Sequence, residues 1–325
     1  MKVTEHLRKA DKALFSFEII PPLKGSSIQD IFEGIEPLME FEPAFINVTY
    51  HREEYAYKKF PNDLLKKVSI RKRPGTVGIC AAITNRFGVD TVPHLICGGF
   101  TAEETENALI DLRFLGIHNV LALRGDPIKS ESTFKPEPGG HKYAVDLIRQ
   151  IADMNEGIYL FDGVEATAKS SCPTFCIGAA AYPEKHYESM NMKTDFKYLK
   201  QKVDAGAEYL TTQMFFDNSK YFDLVKRCRE AGMEVPIIPG IKPITTLQHI
   251  RFLPKTFHVD LPEELTDKLE ACKTNADVRK VGVDWAIRQC RELIDGGAPC
   301  IHFYTMGKSE AVREIAEEVF AHSVR

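Results

Sequence analysis

The sequence predicts an α/β fold, a single (β/α)8 barrel of the TIM type covering residues 1–325. Three observations carry this: short apolar runs of strand character recur eight times, helical segments separate them, and no shift in composition divides the chain. The competing architecture, a doubly wound open sheet, wants a G-x-G-x-x-G fingerprint after an early strand, and none occurs.

The elements follow in order. Residues 13–20 read as a buried strand carrying one carboxylate, Glu18, and closed by Pro21-Pro22. A helix is expected over 28–41 and a second strand over 45–50. Residues 62–73 and 77–87 both read as helix, followed by a third strand over 91–97 with His94 inside it. Thr101-Ala-Glu-Glu104 is a capping box that opens a helix to about Leu115. The fourth strand, Asn119 to Leu123, runs straight into Arg124-Gly125-Asp126-Pro127: a cation, a glycine that permits close backbone approach, an anion and a helix breaker. A helix lies within 139–155. Strands at 174–181 and 209–216 flank a helix over 194–205. Residues 218–231 are helical, capped by Gly232, and a short seventh strand covers 235–240. Helices over 245–253, 262–272 and 278–295 lead to the eighth strand, 300–305, and a last helix, 309–321. The loops expected to move are 128–140 and 182–191.

Composition excludes several function classes. A net charge of −4 gives no global attraction to nucleic acid or an anionic membrane. No apolar run approaches the length of a membrane span, and the polar N-terminus lacks a signal-peptide core. The eight cysteines are scattered, with Cys172 and Cys176 the only near pair, which is weak as a metal signal and points to reduced, cytoplasmic thiols.

Parallel barrels carry their chemistry at the C-terminal ends of the strands. Collecting the polar residues there gives Glu18, Thr49, His94, Arg124 with Asp126, Tyr182 with Glu184 and His186, Gln213, and Lys308 just past the eighth strand. Each has a structural alternative: Glu18 as a paired interior carboxylate, His94 as a satisfied core histidine, Gln213 as a backbone-bonding amide. Together they suit a large polar heteroaromatic ligand and acid–base work. Among Phe15, Phe17, Ile19 and Ile20, the Glu18 carboxyl should hold its proton unusually well.

FSFEIIPP (15–22), NVTY (47–50), PHLIC (93–97), LALRGDP (121–127), AAYPEKH (180–186), KVDAGAEYLTTQMFFD (202–217), IPGIKPI (238–244) and HFYT (302–305) occur in an order and spacing that resemble the methylenetetrahydrofolate reductase family over nearly the whole chain. By length the chain is similar to the short bacterial form, without the regulatory C-terminal domain of eukaryotic members. The resemblance implies a cytoplasmic flavoprotein, usually a homo-oligomer, that binds FAD. It would use NADH or NADPH in a ping-pong cycle to reduce 5,10-methylenetetrahydrofolate to 5-methyltetrahydrofolate, with no metal.

On matching positions, Glu18 is the implied general acid and Asp126 the charge that stabilises the 5-iminium cation. Gln213 and Lys308 are the further folate contacts, Lys308 standing where the family carries arginine. FAD contacts fall on Thr49, His94, Leu123, Arg124, Gly125, Asp126, Tyr143, Ala144, Tyr182, His186, Asp195 and Lys202. Tyr198 and Gln201 depart from the family's FAD pattern. The position of an aromatic that stacks on NADH falls near Leu247, with Gln248 or His249 as its polar neighbour.

Two other readings stand beside this one. A non-flavin barrel lyase or aldolase would use Glu18 and Asp126 as an acid–base pair, with a Schiff-base lysine or a metal. No lysine is expected centrally on a strand, and no metal-ligand cluster is visible. A folate- or flavin-binding subunit would depend on a partner for electrons.

Overall fold

Parallel pairing carries the sheet all the way around. In the computed structural model, which describes residues 1–128, 131–161 and 173–320, the strands are β1 (Leu14–Ile19), β2 (Phe45–Val48), β3 (Glu54–Lys59), β4 (Leu65–Ile70), β5 (Asp90–Ile96), β6 (Asn119–Leu123), β7 (Cys176–Ala181), β8 (Tyr209–Thr212), β9 (Ile237–Ile238), β10 (Gly240–Ile241) and β11 (Cys300–Tyr304). Nine of them form one sheet in the order β10-β11-β1-β2-β5-β6-β7-β8-β9. Its two edges, β9 and β10, are halves of one extended run interrupted at Pro239, so the barrel closes on itself. Proline has no N–H to give the ladder. Its carbonyl instead accepts from His302 N–H at 3.0 Å, and Gly240 N–H donates to Thr212 Oγ1 at 2.9 Å. Counted this way, the eight expected barrel strands are present.

Helices cover the outside for reasons visible in the sequence. In Ile28–Met39 the buried residues Ile31, Ile35 and Leu38 recur at helical spacing, and the Ser27 side chain accepts from Gln29 N–H at 3.1 Å. Thr101 forms the expected capping box with Glu104. The inside of the barrel is a separate core of Phe45, Val92, Leu121, Cys176, Tyr209, Ile238 and Cys300. Val3 belongs to that cluster. It lies on a helix, Val3–Lys9, in the polar N-terminus for which no element was expected; Asn119 Oδ1 accepts from Val3 N–H at 2.8 Å, fastening this helix to the barrel floor.

The second difference from expectation is 62–73, which is not helical. Residues Leu65–Ile70 pair antiparallel with Glu54–Lys59, joined through a short 3-10 turn at Pro61–Asp63. The apolar positions 64, 65 and 68 fit a helix, but 68 and 70 fit a strand, and a pairing partner in Tyr55-Ala-Tyr57 decides the competition. Strands expected to run to 216 and 50 stop at Thr212 and Val48. Of the loops expected to move, 182–191 makes the hydrogen bonds described below, and 129–130 lie outside the described residues, as does Cys172.

Gly178 shows how tightly the interior is filled. A Cβ there would collide with the ring of Tyr209, which is fully buried. Gly178→Ala should therefore cost about 1–3 kcal/mol through overpacking, read as a lower denaturant midpoint with an unchanged slope.

Candidate active site

Alternate residues of each strand face the barrel axis. Counting in twos from the interior core places Glu18, Asn47, His94, Leu123, Gly240 and Tyr304 inward, and continuing past the strand ends adds Thr49, Tyr182, Gln213 and Lys242. Register aligns them: Glu18 pairs with Tyr304 on one side and Asn47 on the other. Glu18, Thr49, His94, Tyr182 and Gln213 thus share the inner side because one period of two runs through their strands, whereas Arg124 and Asp126 fall out of phase with Leu121 and Leu123.

Glu18 sits at the centre of that row. Its side chain is 13% exposed, and burial pushes its carboxyl up to about 8. His94 Nε2 lies 3.4 Å from Glu18 Oε2, but burial pulls the imidazole down to about 3, so the contact is between a protonated carboxyl and a neutral ring rather than an ion pair. Asn47 Nδ2 is 3.3 Å from the same His94 nitrogen. An amide NH2 can only donate, so His94 Nε2 is its acceptor and carries no proton. That lone pair also faces the Glu18 carboxyl. Below, Thr305 Oγ1–H donates to the Glu18 carbonyl at 2.7 Å, fixing the strand at this point. Tyr304 hydroxyl donates to Thr212 carbonyl at 2.6 Å across Gly240, where a Cβ would collide with the tyrosine ring.

A second group lines the β6 and β7 side. The helix Met192–Asp204 is capped by Asn191, whose side chain accepts from Thr194 N–H at 2.9 Å. Side chains lean toward a helix's N-terminus, and Lys202 reaches back so that its amine donates to Ala180 carbonyl and lies 5.9 Å from the Tyr182 ring. Burial lowers this amine to about 8 against the opposing pull of Asp195. Asp195 Oδ1 accepts from His186 N–H at 3.2 Å and Ser189 hydroxyl at 2.7 Å. Tyr182 and His186 meet edge to face at 4.8 Å. Arg124 is held in a two-pronged pair with Glu188, one prong being Nη2 to Oε1 at 2.9 Å, and lies 5.1 Å from the Phe134 ring.

Gly125 adopts φ +83°, and a Cβ there would press on Ile96 at 3.2 Å, so this bend requires glycine. The bend turns Asp126 into the open, where its carboxylate is exposed and has no hydrogen-bond or ion-pair partner among the described residues. Gln213 uses its Oε1 to accept from Met214 N–H at 2.9 Å, which leaves its amide NH2 for a ligand. Thr49 lies 3.3 Å from His51 Nε2, Lys308 is exposed, and Tyr143 and Ala144 stand at the N-terminus of the helix Ala144–Asn155.

Sequence reasoning passed over Asn47, Tyr304 and Lys242, although each sits in a quoted motif. Among the described residues no barrel strand carries a lysine, but Lys242 is buried (6% exposed) one residue past the end of β10. Each of the three lies an even number of residues from an interior core position, a relation that shows only once the interior core is known. Among the described residues no group of three or more metal-ligating side chains is present, and no helix is long and apolar enough to cross a membrane.

Comparison with known proteins agrees with the motifs. The family model described as methylenetetrahydrofolate reductase matches residues 2–319. A probable methylenetetrahydrofolate reductase (NADPH) of Caenorhabditis elegans is 32% identical over 321 residues, covering 97% of this chain and 43% of the relative. The 5,10-methylenetetrahydrofolate reductase of Escherichia coli is 30% identical over 296 residues, covering 91% and 86%. This chain spans about half the length of the eukaryotic relatives it matches. Among solved structures, an uncharacterised Clostridium thermocellum protein that binds two copies of 5-methyl-5,6,7,8-tetrahydrofolic acid superposes with a TM-score of 0.58 at 13% identity, covering 99% of this chain and 100% of that one, a likeness of fold. Given a family match from end to end of the described barrel, the chain belongs to the methylenetetrahydrofolate reductase family.

Proposed function

We propose that this chain reduces 5,10-methylenetetrahydrofolate to 5-methyltetrahydrofolate, drawing electrons from NADH or NADPH through bound FAD in a ping-pong cycle. The observation that carries the reading is Glu18: a carboxyl still protonated at neutral pH, facing the mouth of a barrel whose family performs this chemistry.

The donor set on the β6 and β7 side fits FAD. Lys202 spends one N–H on Ala180 carbonyl and keeps its charge at neutral pH, as a pyrophosphate partner must. Tyr182, His186, Arg124 and the Gly125 bend offer flat faces and close backbone approach, and Thr49 and His94 reach the other flank. When bound, FAD supplies the hydride that ends on the one-carbon unit of the folate.

The protein's own part is proton and charge management. Glu18 donates its proton to folate N10 as the N10–methylene bond breaks, the electron pair going to N10 and an iminium forming at N5. Asp126 faces that cation with a carboxylate not committed to any described residue, and the free Gln213 amide positions the pterin. The buried carboxylate that Glu18 leaves behind is unstable against reprotonation, so the acid resets from solvent.

Purified protein, reconstituted with FAD if necessary, should show a flavin spectrum and turn over methylenetetrahydrofolate with NADH or NADPH. Failure to take up FAD, or retention of flavin with no folate turnover with either nicotinamide, overturns the proposal; the second result would favour the binding-subunit alternative.

A further inference from the structure

Among the described residues Lys242 is a cation without an ion-pair partner, placed in the row that contains the acid. Ile241 pairs with Phe303, so one step further Lys242 is level with Tyr304, which pairs with Glu18. Lys242 is thus roughly 10 Å from Glu18, two strand spacings around the mouth, and the period of two turns it to the same inner side as Ile238 and Gly240. Its side chain is buried, yet among the described residues its ammonium makes no hydrogen bond or ion pair.

What surrounds it is more positive charge. Lys308, from the loop after β11, is close enough that burial together with its charge lowers Lys242 to about 8. His249, in the first turn of the helix Leu247–Phe257, is lowered to about 4 by burial, Lys242 and Lys308. Thr245 N–H donates to its Nδ1 at 3.2 Å, so the neutral ring carries its proton on Nε2 and is a donor there. The cluster therefore contains donors only. An ammonium on a largely buried side chain, with like charge beside it and no anion, is destabilised, and an arriving anion relieves that cost.

We propose that Lys242 is an anion receptor of the substrate site, taking a carboxylate or phosphate group of a molecule whose reacting end lies at Glu18. This rests on the function proposed above, in which the candidates for that group are the carboxylate beyond the benzoyl amide of the folate and a phosphate of the nicotinamide dinucleotide. The distance suits the first: N10 at Glu18 is separated from the glutamate carboxylate by one aromatic ring and an amide.

Lys242→Met keeps the stem and removes the charge. In the flavin-loaded enzyme, the dissociation constant for either the folate or the nicotinamide should rise about 10–100-fold, the worth of a charge-assisted hydrogen bond, and Lys242→Arg should restore much of it. A rise confined to the folate assigns the carboxylate, and one confined to the nicotinamide assigns the phosphate. A probe independent of turnover is inorganic phosphate at matched ionic strength. It should raise the melting temperature of the wild-type protein and leave that of Lys242→Met unmoved. A folded Lys242→Met with both dissociation constants and the phosphate response unchanged overturns the inference. If the wild type neither binds flavin nor reduces folate, the function proposed above fails while the phosphate response still decides whether Lys242 is an anion site.

Discussion

Glu18→Gln should leave reduction of bound flavin by the nicotinamide near the wild-type rate while slowing reduction of the folate by about 10²–10⁴-fold, the usual contribution of a positioned acid. Glutamine preserves the shape and the polar end of the side chain but has no acidic proton to give N10. The wild-type pH dependence follows from the same group. Its carboxyl is raised to about 8, the reactive form is the protonated one, and so folate reduction should hold below about pH 8 and fall above it. In Glu18→Gln that descending limb should vanish. Stability has the same sign: the folded state binds a proton that the unfolded chain releases above its ordinary carboxyl value of 4.5, so stability falls as pH rises from there to about 8. Equal losses in both half-reactions would remove Glu18 from the role of acid.

Asp126→Asn should slow folate reduction by about 2–4 kcal/mol of transition-state stabilisation, the scale for losing one preorganised electrostatic group. The geometry argues for a large effect. The Gly125 bend leaves an exposed carboxylate uncommitted to any described residue and near Tyr182, and asparagine keeps the volume while deleting the charge proposed to face the cation. Single-turnover rates with pre-reduced enzyme check this; an unchanged rate would leave Asp126 as a turn residue only.

Much of the barrel was legible because its strands are short apolar runs and several outer helices bury residues at helical spacing, as Ile31, Ile35 and Leu38 do. The hairpin at Glu54–Lys59 and Leu65–Ile70 was not, since its stability comes from pairing with each other rather than from any periodicity strong enough to rule out a helix. The helix carrying Val3 is seven residues long and mostly polar, and it is held by tertiary contacts such as that to Asn119. In the site, Glu18, His94, Gln213 and Lys202 stand out as polar residues in or beside apolar runs. Asn47, Tyr304 and Lys242 join that row only through register between neighbouring strands, because one strand alone does not say that 242, 304, 18 and 47 share a level. Arg124 was read as a flavin contact; its two-pronged pair with Glu188 adds a partner outside any of the motifs.

The most direct measurement is anaerobic stopped-flow on the purified, flavin-loaded protein, first with NADH or NADPH alone and then with methylenetetrahydrofolate added to the reduced enzyme. The account predicts that the nicotinamide bleaches the flavin without folate present, and that folate restores the oxidised spectrum at a rate that falls above about pH 8 in the wild type and collapses in Glu18→Gln. A flavin that the nicotinamide reduces but methylenetetrahydrofolate does not reoxidise would contradict it.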